Sequence, residues 1–158
     1  MLCSKVLGNI HLLSPAPPEI DLVDFTWSEC LRRSLHKRSR GGREIKILLP
    51  AGATLRDGDL LGMSGDVAVV VRALPGEVLV ARPKNLQQMG LICFEIGNQH
   101  LPAEIREDEV IVARDEMTEN LLRRLDVPFE PATRIFHPMP ASGAHWAQMS
   151  DDMQIFRS

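Results

Sequence analysis

The strongest constraint on the fold is a change of pattern at Pro75-Gly76, near the middle of the 158-residue chain. Before this point the sequence predicts strands only. Residues 44–49 alternate apolar and polar side chains, which is the period of a half-buried strand, and residues 67–74 are rich in valine. After it, strand patterns alternate with helix patterns. We therefore predict a β-rich N-terminal domain over residues 1–75 and a second domain that begins at residue 76.

The second half of the chain predicts the order strand, helix, strand, strand, helix, strand. Asn85 and Asp115 are suited to cap the two helices, because their side chains accept hydrogen bonds from the first backbone N–H groups. Gly97 is placed to end the first helix. Strands are expected at 77–82, 103–106 and 109–114, with a last extended segment at about 127–136. This is the split βαβ order of a ferredoxin-like domain, in which both helices cover one face of an antiparallel sheet.

The C-terminal residues predict no regular element. From Pro138 onward the sequence contains Pro140, Ser142 and Gly143, shows no sustained period and ends in polar residues. We therefore predict an α+β chain in three parts. These are the β-rich domain, with a partner-binding role, over residues 1–75, a ferredoxin-like metal-binding and dimerisation domain over 76–137, and a flexible tail over 138–158.

Composition and charge limit the classes of function. Aromatic residues make up 4% of the chain and the net charge is −3, so neither base stacking nor a global field favours nucleic acid or acidic lipid. No glycine-rich phosphate loop, nucleophile elbow or acid–base pair stands out, and we do not expect an enzyme. The three cysteines form no CxxC pair, and no apolar run approaches the roughly 20 residues that span a bilayer. We therefore predict a cytoplasmic protein without a membrane partner.

Residues 32–43 form the one strongly basic stretch. The stretch holds six positive side chains and no acidic one, namely Arg32, Arg33, Lys37, Arg38, Arg40 and Arg43. Such a segment can bind a phosphate backbone, so a small RNA-binding or ribosome-associated module is the alternative function. The favoured interpretation is an exposed strand or loop whose charges keep a sheet edge from aggregating, since aromatic side chains that stack on bases are missing nearby.

His100 is the leading candidate metal ligand. It follows a predicted helix end and precedes Leu101-Pro102, a junction that exposes the imidazole. One imidazole cannot hold a metal tightly, but a two-fold dimer with His100 near its axis supplies a second one. His137 and His145, eight residues apart in the tail, can then close over the same ion. Imidazole suits nickel, copper and zinc, so the ligands alone do not choose the metal.

Several motifs occur in a fixed order along the chain, namely Phe25-Thr26-Trp27-Ser28-Glu29, Arg38-Ser39-Arg40, Gly42-Arg43-Glu44-Ile45, Leu48-Leu49-Pro50-Ala51-Gly52, Leu55-Arg56-Asp57-Gly58-Asp59 and Ile96-Gly97-Asn98-Gln99-His100-Leu101-Pro102. Together they resemble the family of the urease accessory protein UreE. The resemblance covers residues 1–136. Gln99 stands where the family usually has arginine, which changes the local charge but removes no ligand.

The resemblance implies a homodimeric nickel metallochaperone that donates Ni(II) during activation of urease. It implies that His100 of both protomers binds the metal at the dimer interface, with His137 or His145 as the tail histidine that completes the site. Zn(II) and Cu(II) are expected to compete for it, and one ion per dimer is expected because a long histidine-rich tail is missing. The implied partners are the urease accessory GTPase and the urease apoprotein. Composition and charge, as argued above, predict no nucleic-acid partner.

Overall fold

The computed structural model describes residues 1–15, 17 and 19–139, and within them the α+β class is confirmed. The chain divides into two compact units, Met1–Leu74 and Pro75–Ser158. Within the described residues, no helix has both the length and the apolar character needed to cross a membrane. Each unit is described separately below.

The first unit is built from two three-stranded sheets. The strands are β1 Leu2–Cys3, β2 Glu19–Phe25, β3 Ser34–Arg38, β4 Glu44–Leu48, β5 Leu60–Ser64 and β6 Val67–Ala73, paired in the orders β1-β4-β3 and β2-β6-β5. The alternation that predicted β4 is confirmed, because Ile45 and Ile47 are fully buried while their neighbours in the strand are exposed. They pack into one core with Phe25 and Val23 of β2.

The prediction of strands only in the first half was wrong. A short helix, α1, spans Trp27–Cys30, and a 3-10 turn spans Ile10–Leu12. Helix α1 begins with a capping box, in which Thr26 Oγ1 accepts a hydrogen bond from the Glu29 N–H and Glu29 Oε2 accepts one from the Thr26 N–H. This reciprocal pair satisfies two backbone donors, which lets four residues form a helical turn without an apolar period.

The second unit has the predicted ferredoxin-like order. Its elements are β7 Gly76–Ala81, α2 Leu86–Asn98, β8 Ala103–Ile105, β9 Val110–Ala113, α3 Glu116–Arg124 and β10 Phe129–Arg134. The sheet order is β10-β7-β9-β8, and all neighbouring strands are antiparallel. Both predicted caps are confirmed, since Asn85 accepts from the Gln88 N–H and Asp115 from the Thr118 N–H. The helices bury Ile92, Ile96, Leu121 and Leu122 against the sheet.

The chain after β10 follows the edge strand β8. Pro138 is buried, and the Met139 N–H donates to the carbonyl oxygen of Ala103 at 2.8 Å. The first two residues of the predicted tail are therefore held by the second unit. The remainder of that prediction falls on residues 140–158, which include His145 and lie outside the described residues.

A buried carboxylate holds the β3–β4 turn of the first unit against β2. Asp21 of β2 accepts hydrogen bonds from Ser39 Oγ (2.6 Å), from the Gly41 N–H (2.8 Å) and from the Arg43 guanidinium. Burial alone would raise the pKa of Asp21, but these donors outweigh it and hold the pKa below its usual value. The ionised form therefore stabilises the folded unit.

We expect Asp21→Asn to lower the free energy of unfolding by about 2 kcal/mol at neutral pH, because an amide cannot replace an ionised acceptor. Since the folded-state pKa is depressed, this stabilisation is present above the unfolded pKa of about 3.9 and is lost as pH falls through the folded value. Urea unfolding of both proteins at neutral and acidic pH measures the difference. Asp66→Asn, an exposed change in the same unit, is the control. An equal difference at both pH values would contradict this account.

Candidate metal centre

Helix α2 ends in a turn that holds His100 in the left-handed backbone conformation. The Leu101 N–H donates to the Ile96 carbonyl and the His100 N–H donates to the Gly97 carbonyl, both at 3.1 Å. These two bonds form a Schellman motif, with His100 (φ 52°) at the position that glycine usually takes. A side chain at positive φ crowds its own backbone, so the fold holds His100 at an energetic cost.

The prediction that Gly97 ends α2 was wrong in position. The helix continues through Asn98, and the left-handed residue is His100. The reason is the packing of Leu101, which joins Ile96 in the core of the second unit. A contact between these two positions accompanies a Schellman turn, and it sets the end of the helix here more strongly than the glycine does.

His100 is exposed and lines a cavity of about 160 Å³ at the C-terminal end of α2. Cys93 and Gly97 line the same cavity from the helix, Ile105 lines it from β8, and Met139 lines it from the chain after β10. The imidazole is therefore reachable from solvent and also borders a largely apolar wall. Both conditions suit a ligand that takes up an ion from solution.

His137 is fixed through its backbone, at the β8 edge of the sheet. Its N–H donates to Glu104 Oε2 at 3.0 Å, and its side chain is half-buried. Met139, two residues further on, reaches the cavity that His100 lines. The backbone of His137 is therefore fixed two residues before Met139, which forms part of the cavity wall.

A network of charges continues from Glu104 across the end of the sheet. Glu104 pairs with Arg106 at 2.6 Å, and Arg106 also pairs with the buried Glu109 at 3.2 Å. Glu109 forms two further ion pairs, one with Arg82 at 3.0 Å and one with Arg134 at 2.9 Å. Ionic contacts therefore join the ends of β7, β8 and β10 at Glu109, and the segment after β10 meets this network through the hydrogen bond from the His137 N–H to Glu104.

One copy of the described chain does not assemble a complete metal site. Among the described residues, no group of three or more histidine, cysteine, aspartate or glutamate side chains is arranged to hold an ion. His100 is presented at the end of α2, His137 lies beside β8, and His145 lies outside the described residues. The roles of all three as ligands stay predictions.

Cys93 and Met139 line the cavity beside His100, and the sequence analysis assigned neither of them a role. Cys93 of α2 is half-buried, and its thiol lies 3.9 Å from Met89 Sδ. Burial raises the pKa of Cys93, and it raises the pKa of Cys30 in the first unit to about 12. Cys93 and Met89 have the same helical spacing as core residues, so the sequence offered no signal to separate them from the core.

Carboxylates neutralise much of the basic stretch 32–43. Four of its six cations form ion pairs: Lys37 with Glu29 (2.8 Å), Arg38 with Glu44 (2.7 Å), Arg40 with Asp24 (3.3 Å) and Arg43 with Asp21. Arg32 and Arg33 are exposed. Paired cations offer little charge to a phosphate backbone, so the structure favours the interpretation of this stretch as a charged edge strand over the RNA-binding alternative.

The fold and the exposed imidazole define a class of two-domain protein, in which a β-rich domain precedes a ferredoxin-like domain with a candidate metal ligand at the end of its first helix. Family models agree with this division. Residues 3–74 match the UreE urease accessory protein, N-terminal domain, and residues 76–154 match the UreE urease accessory protein, C-terminal domain.

Full-length relatives are similar over most of the chain. The protein is 38% identical over 134 residues to the urease accessory protein UreE of Geobacillus kaustophilus, covering 85% of this chain and 90% of the relative. It is 38% identical over 143 residues to that of Bacillus cereus (89% and 94%) and 32% identical over 140 residues to that of Acetivibrio thermocellus (88% and 92%). The chain belongs to the UreE family of urease accessory proteins, and the resemblance seen in the sequence is confirmed.

Because His100 occupies a left-handed position, we expect His100→Gly to raise the free energy of unfolding of the metal-free protein by about 1 kcal/mol. Urea unfolding with a chelator present measures it. Gln99→Gly is the matched control, since Gln99 has a φ of −92° and gains nothing from glycine. A loss of stability in both variants would show that the turn at His100 is not strained.

Proposed function

We propose that this protein is a nickel metallochaperone that carries Ni(II) as its cargo and delivers it during assembly of the urease metallocentre. In this proposal it acts as a homodimer, and His100 of each copy binds the same ion. The observation that carries the proposal is the left-handed, exposed His100 at the end of α2. A residue held in a costly conformation and aimed at solvent contributes nothing to the core, which favours a functional role for it.

The exposed face of α2 supports a dimer formed through this helix. Leu91 and Phe94 are 46% and 63% exposed, although both are large and apolar. Gly90 and Gly97 lie at the spacing that places them on the same face, and a Cβ built on either of them meets no atom within 4 Å. An apolar surface with two open glycines lets another helix approach closely, and burial of such a surface favours association.

Two-fold symmetry would then bring the two imidazoles together. In an isologous contact the same patch of both copies meets at the axis, so residues at the centre of the patch face their own counterparts. His100 follows Gly97 by three residues at the end of this face. A contact centred on the C-terminal half of α2 would therefore supply two imidazoles to one ion without a further ligand from the described chain.

Such a site would also be able to release its cargo. Two imidazoles, with water or a tail histidine such as His137 or His145 at the remaining positions, leave an incomplete ligand shell that ligands from a partner can enter. Imidazole binds metal only in its neutral form, so acid would weaken binding. Zn(II) and Cu(II) are expected competitors, because imidazole also suits both ions.

The name shared by the relatives, urease accessory protein, supports a role beside urease-related proteins. We propose the urease accessory GTPase and the urease apoprotein as the partners of this chain, with the first unit as the partner-binding domain. The protein would act as a carrier and not as an enzyme. Its predicted cytoplasmic location rests on the three cysteines without a CxxC pair, which indicate a reducing compartment, and on the absence from the sequence of an apolar run of roughly 20 residues.

His100→Asn tests the nickel site. Asparagine tolerates the left-handed conformation, so the variant removes the imidazole without adding strain to the turn. We expect calorimetric titration with Ni(II) to show one ion per two wild-type chains and a loss of affinity of at least about 100-fold in the variant. His36→Asn, in the first unit, is the control for a general loss of histidine. Unchanged stoichiometry and affinity in His100→Asn would refute the proposed centre.

Phe94→Glu tests the dimer. A carboxylate on the apolar face of α2 would have to be buried against its own symmetry copy, so we expect the variant to sediment as a monomer at concentrations where the wild type is a dimer. Leu12→Glu is the matched control, because Leu12 is also 86% exposed but lies in the first unit, away from the face of α2. A dimer that survives Phe94→Glu would place the contact on another surface.

A further inference from the structure

The cavity beside His100 is only partly covered by the described residues. The apolar part of its wall is formed by Ile96, Leu101, Ala103, Ile105 and Met139. Of these, Ile105 and Met139 remain 40% and 37% exposed, although both are large and apolar. An apolar group that fills the cavity removes this wall from water, which favours an occupant.

The size of the cavity fits one aromatic ring system. Its volume is about 160 Å³, and an apolar protein cavity of about 150 Å³ binds benzene. Because the cavity is open to solvent on one side, an indole can place its six-membered ring inside and keep its N–H at the surface, where that group finds a hydrogen-bond partner. The cavity therefore favours an aromatic side chain over a polar ligand.

The described chain ends at the mouth of this cavity. Met139 lines it, and the Met139 N–H donates to the Ala103 carbonyl at 2.8 Å. Residues 140–158 follow and lie outside the described residues, and the first aromatic residue among them is Trp146, seven positions after Met139. Seven residues span up to about 24 Å, so the chain is long enough to return to the cavity. A tether this short keeps the ring at high effective concentration there.

The sequence between Met139 and Trp146 suits such a return. Residues 141–144 are Ala-Ser-Gly-Ala, so their small side chains add little bulk where the chain folds back. Gly143 admits the backbone conformations that a tight reversal requires. No charged residue stands between Met139 and Trp146, so docking buries no unpaired charge.

We infer that the indole ring of Trp146 occupies this cavity of its own chain and covers the exposed wall at Ile105 and Met139. Successive Cα atoms are about 3.8 Å apart, so a docked Trp146 also keeps the backbone of His145 close to the cavity that His100 lines. Trp146 is then a positioning residue for His145. The docking itself is independent of the proposed nickel centre, whereas this consequence for His145 rests on it.

Tryptophan fluorescence tests the docking, because Trp27→Phe leaves Trp146 as the one tryptophan of the full-length chain. With a chelator present, we expect emission at shorter wavelength than in urea. Acrylamide should quench it at least about threefold less than free tryptophan, since the quencher reaches a docked ring only when the site opens. The difference between wild type and Trp146→Phe gives the same readout if Trp27→Phe folds poorly. A fully exposed Trp146 in either measurement would overturn the inference.

Changes at the cavity wall locate the ring. Ile105→Glu in the Trp27→Phe protein should abolish the protection, because a carboxylate makes the wall polar. Ile135→Glu is the matched control and should keep it, since Ile135 is 38% exposed in the same unit and is not among the residues that line the cavity. Protection that survives Ile105→Glu would place the ring elsewhere. Protection that weakens on dilution would show that a second copy supplies the ring, and either result would overturn the inference.

Nickel titration tests the positioning role separately. Trp146→Ala should weaken Ni(II) binding by about tenfold and Trp146→Phe should restore most of it, because a ring that fills the cavity preorganises the adjacent ligand. Equal Ni(II) affinity in wild type and Trp146→Ala would overturn the role for His145. A wild type that binds no Ni(II) while Trp146 stays protected would refute the proposed function and support the docking.

Discussion

The pair of hydrogen bonds that closes helix α2 determines where the candidate metal ligand of the second unit lies. Because the Leu101 N–H reaches back to Ile96 and Leu101 enters the core, the chain must reverse at His100. That reversal leaves the imidazole outside the core and starts the path towards β8. The backbone of β8 then holds Met139, which completes the cavity that His100 lines. This one turn at His100 therefore sets the position of the imidazole, the shape of the cavity and the start of the path towards β8.

Much of this architecture could be predicted from local signals. Asn85 and Asp115 each precede an apolar period, and both cap a helix as their short side chains allow. Alternation of apolar and polar residues located β4, since one face of that strand is buried. The order of elements after Pro75 then left a ferredoxin-like sheet as the simplest arrangement, which the strand order confirms. His100 was predicted as a candidate ligand because it stands at a helix junction and within a family motif, and the structure places it, exposed, directly after α2.

Features that depend on contacts distant in sequence could not be predicted. Gly97 looked like the end of α2 because glycine usually takes the left-handed position, but the packing of Leu101 assigned that position to His100. Glu104 meets the backbone of His137 across 33 positions, and no local pattern marks either residue. The ion pairs of the stretch 32–43 bring acidic partners from β2, α1 and β4, so a count of charges along the segment overstated its positive field.

The charge network at the end of the ferredoxin-like sheet makes one part of the protein sensitive to its surroundings. Arg106 pairs with both Glu104 and Glu109 and remains half open to water, and Glu104 in turn accepts the hydrogen bond from the His137 N–H. Dissolved ions screen contacts of this kind over about 10 Å at 0.1 M, whereas they leave an apolar core largely untouched. Concentrated salt should therefore weaken the ion pairs of Glu104 and Glu109 while both cores stay folded, so the ionic strength of a buffer changes how firmly Glu104 is positioned beside the His137 N–H.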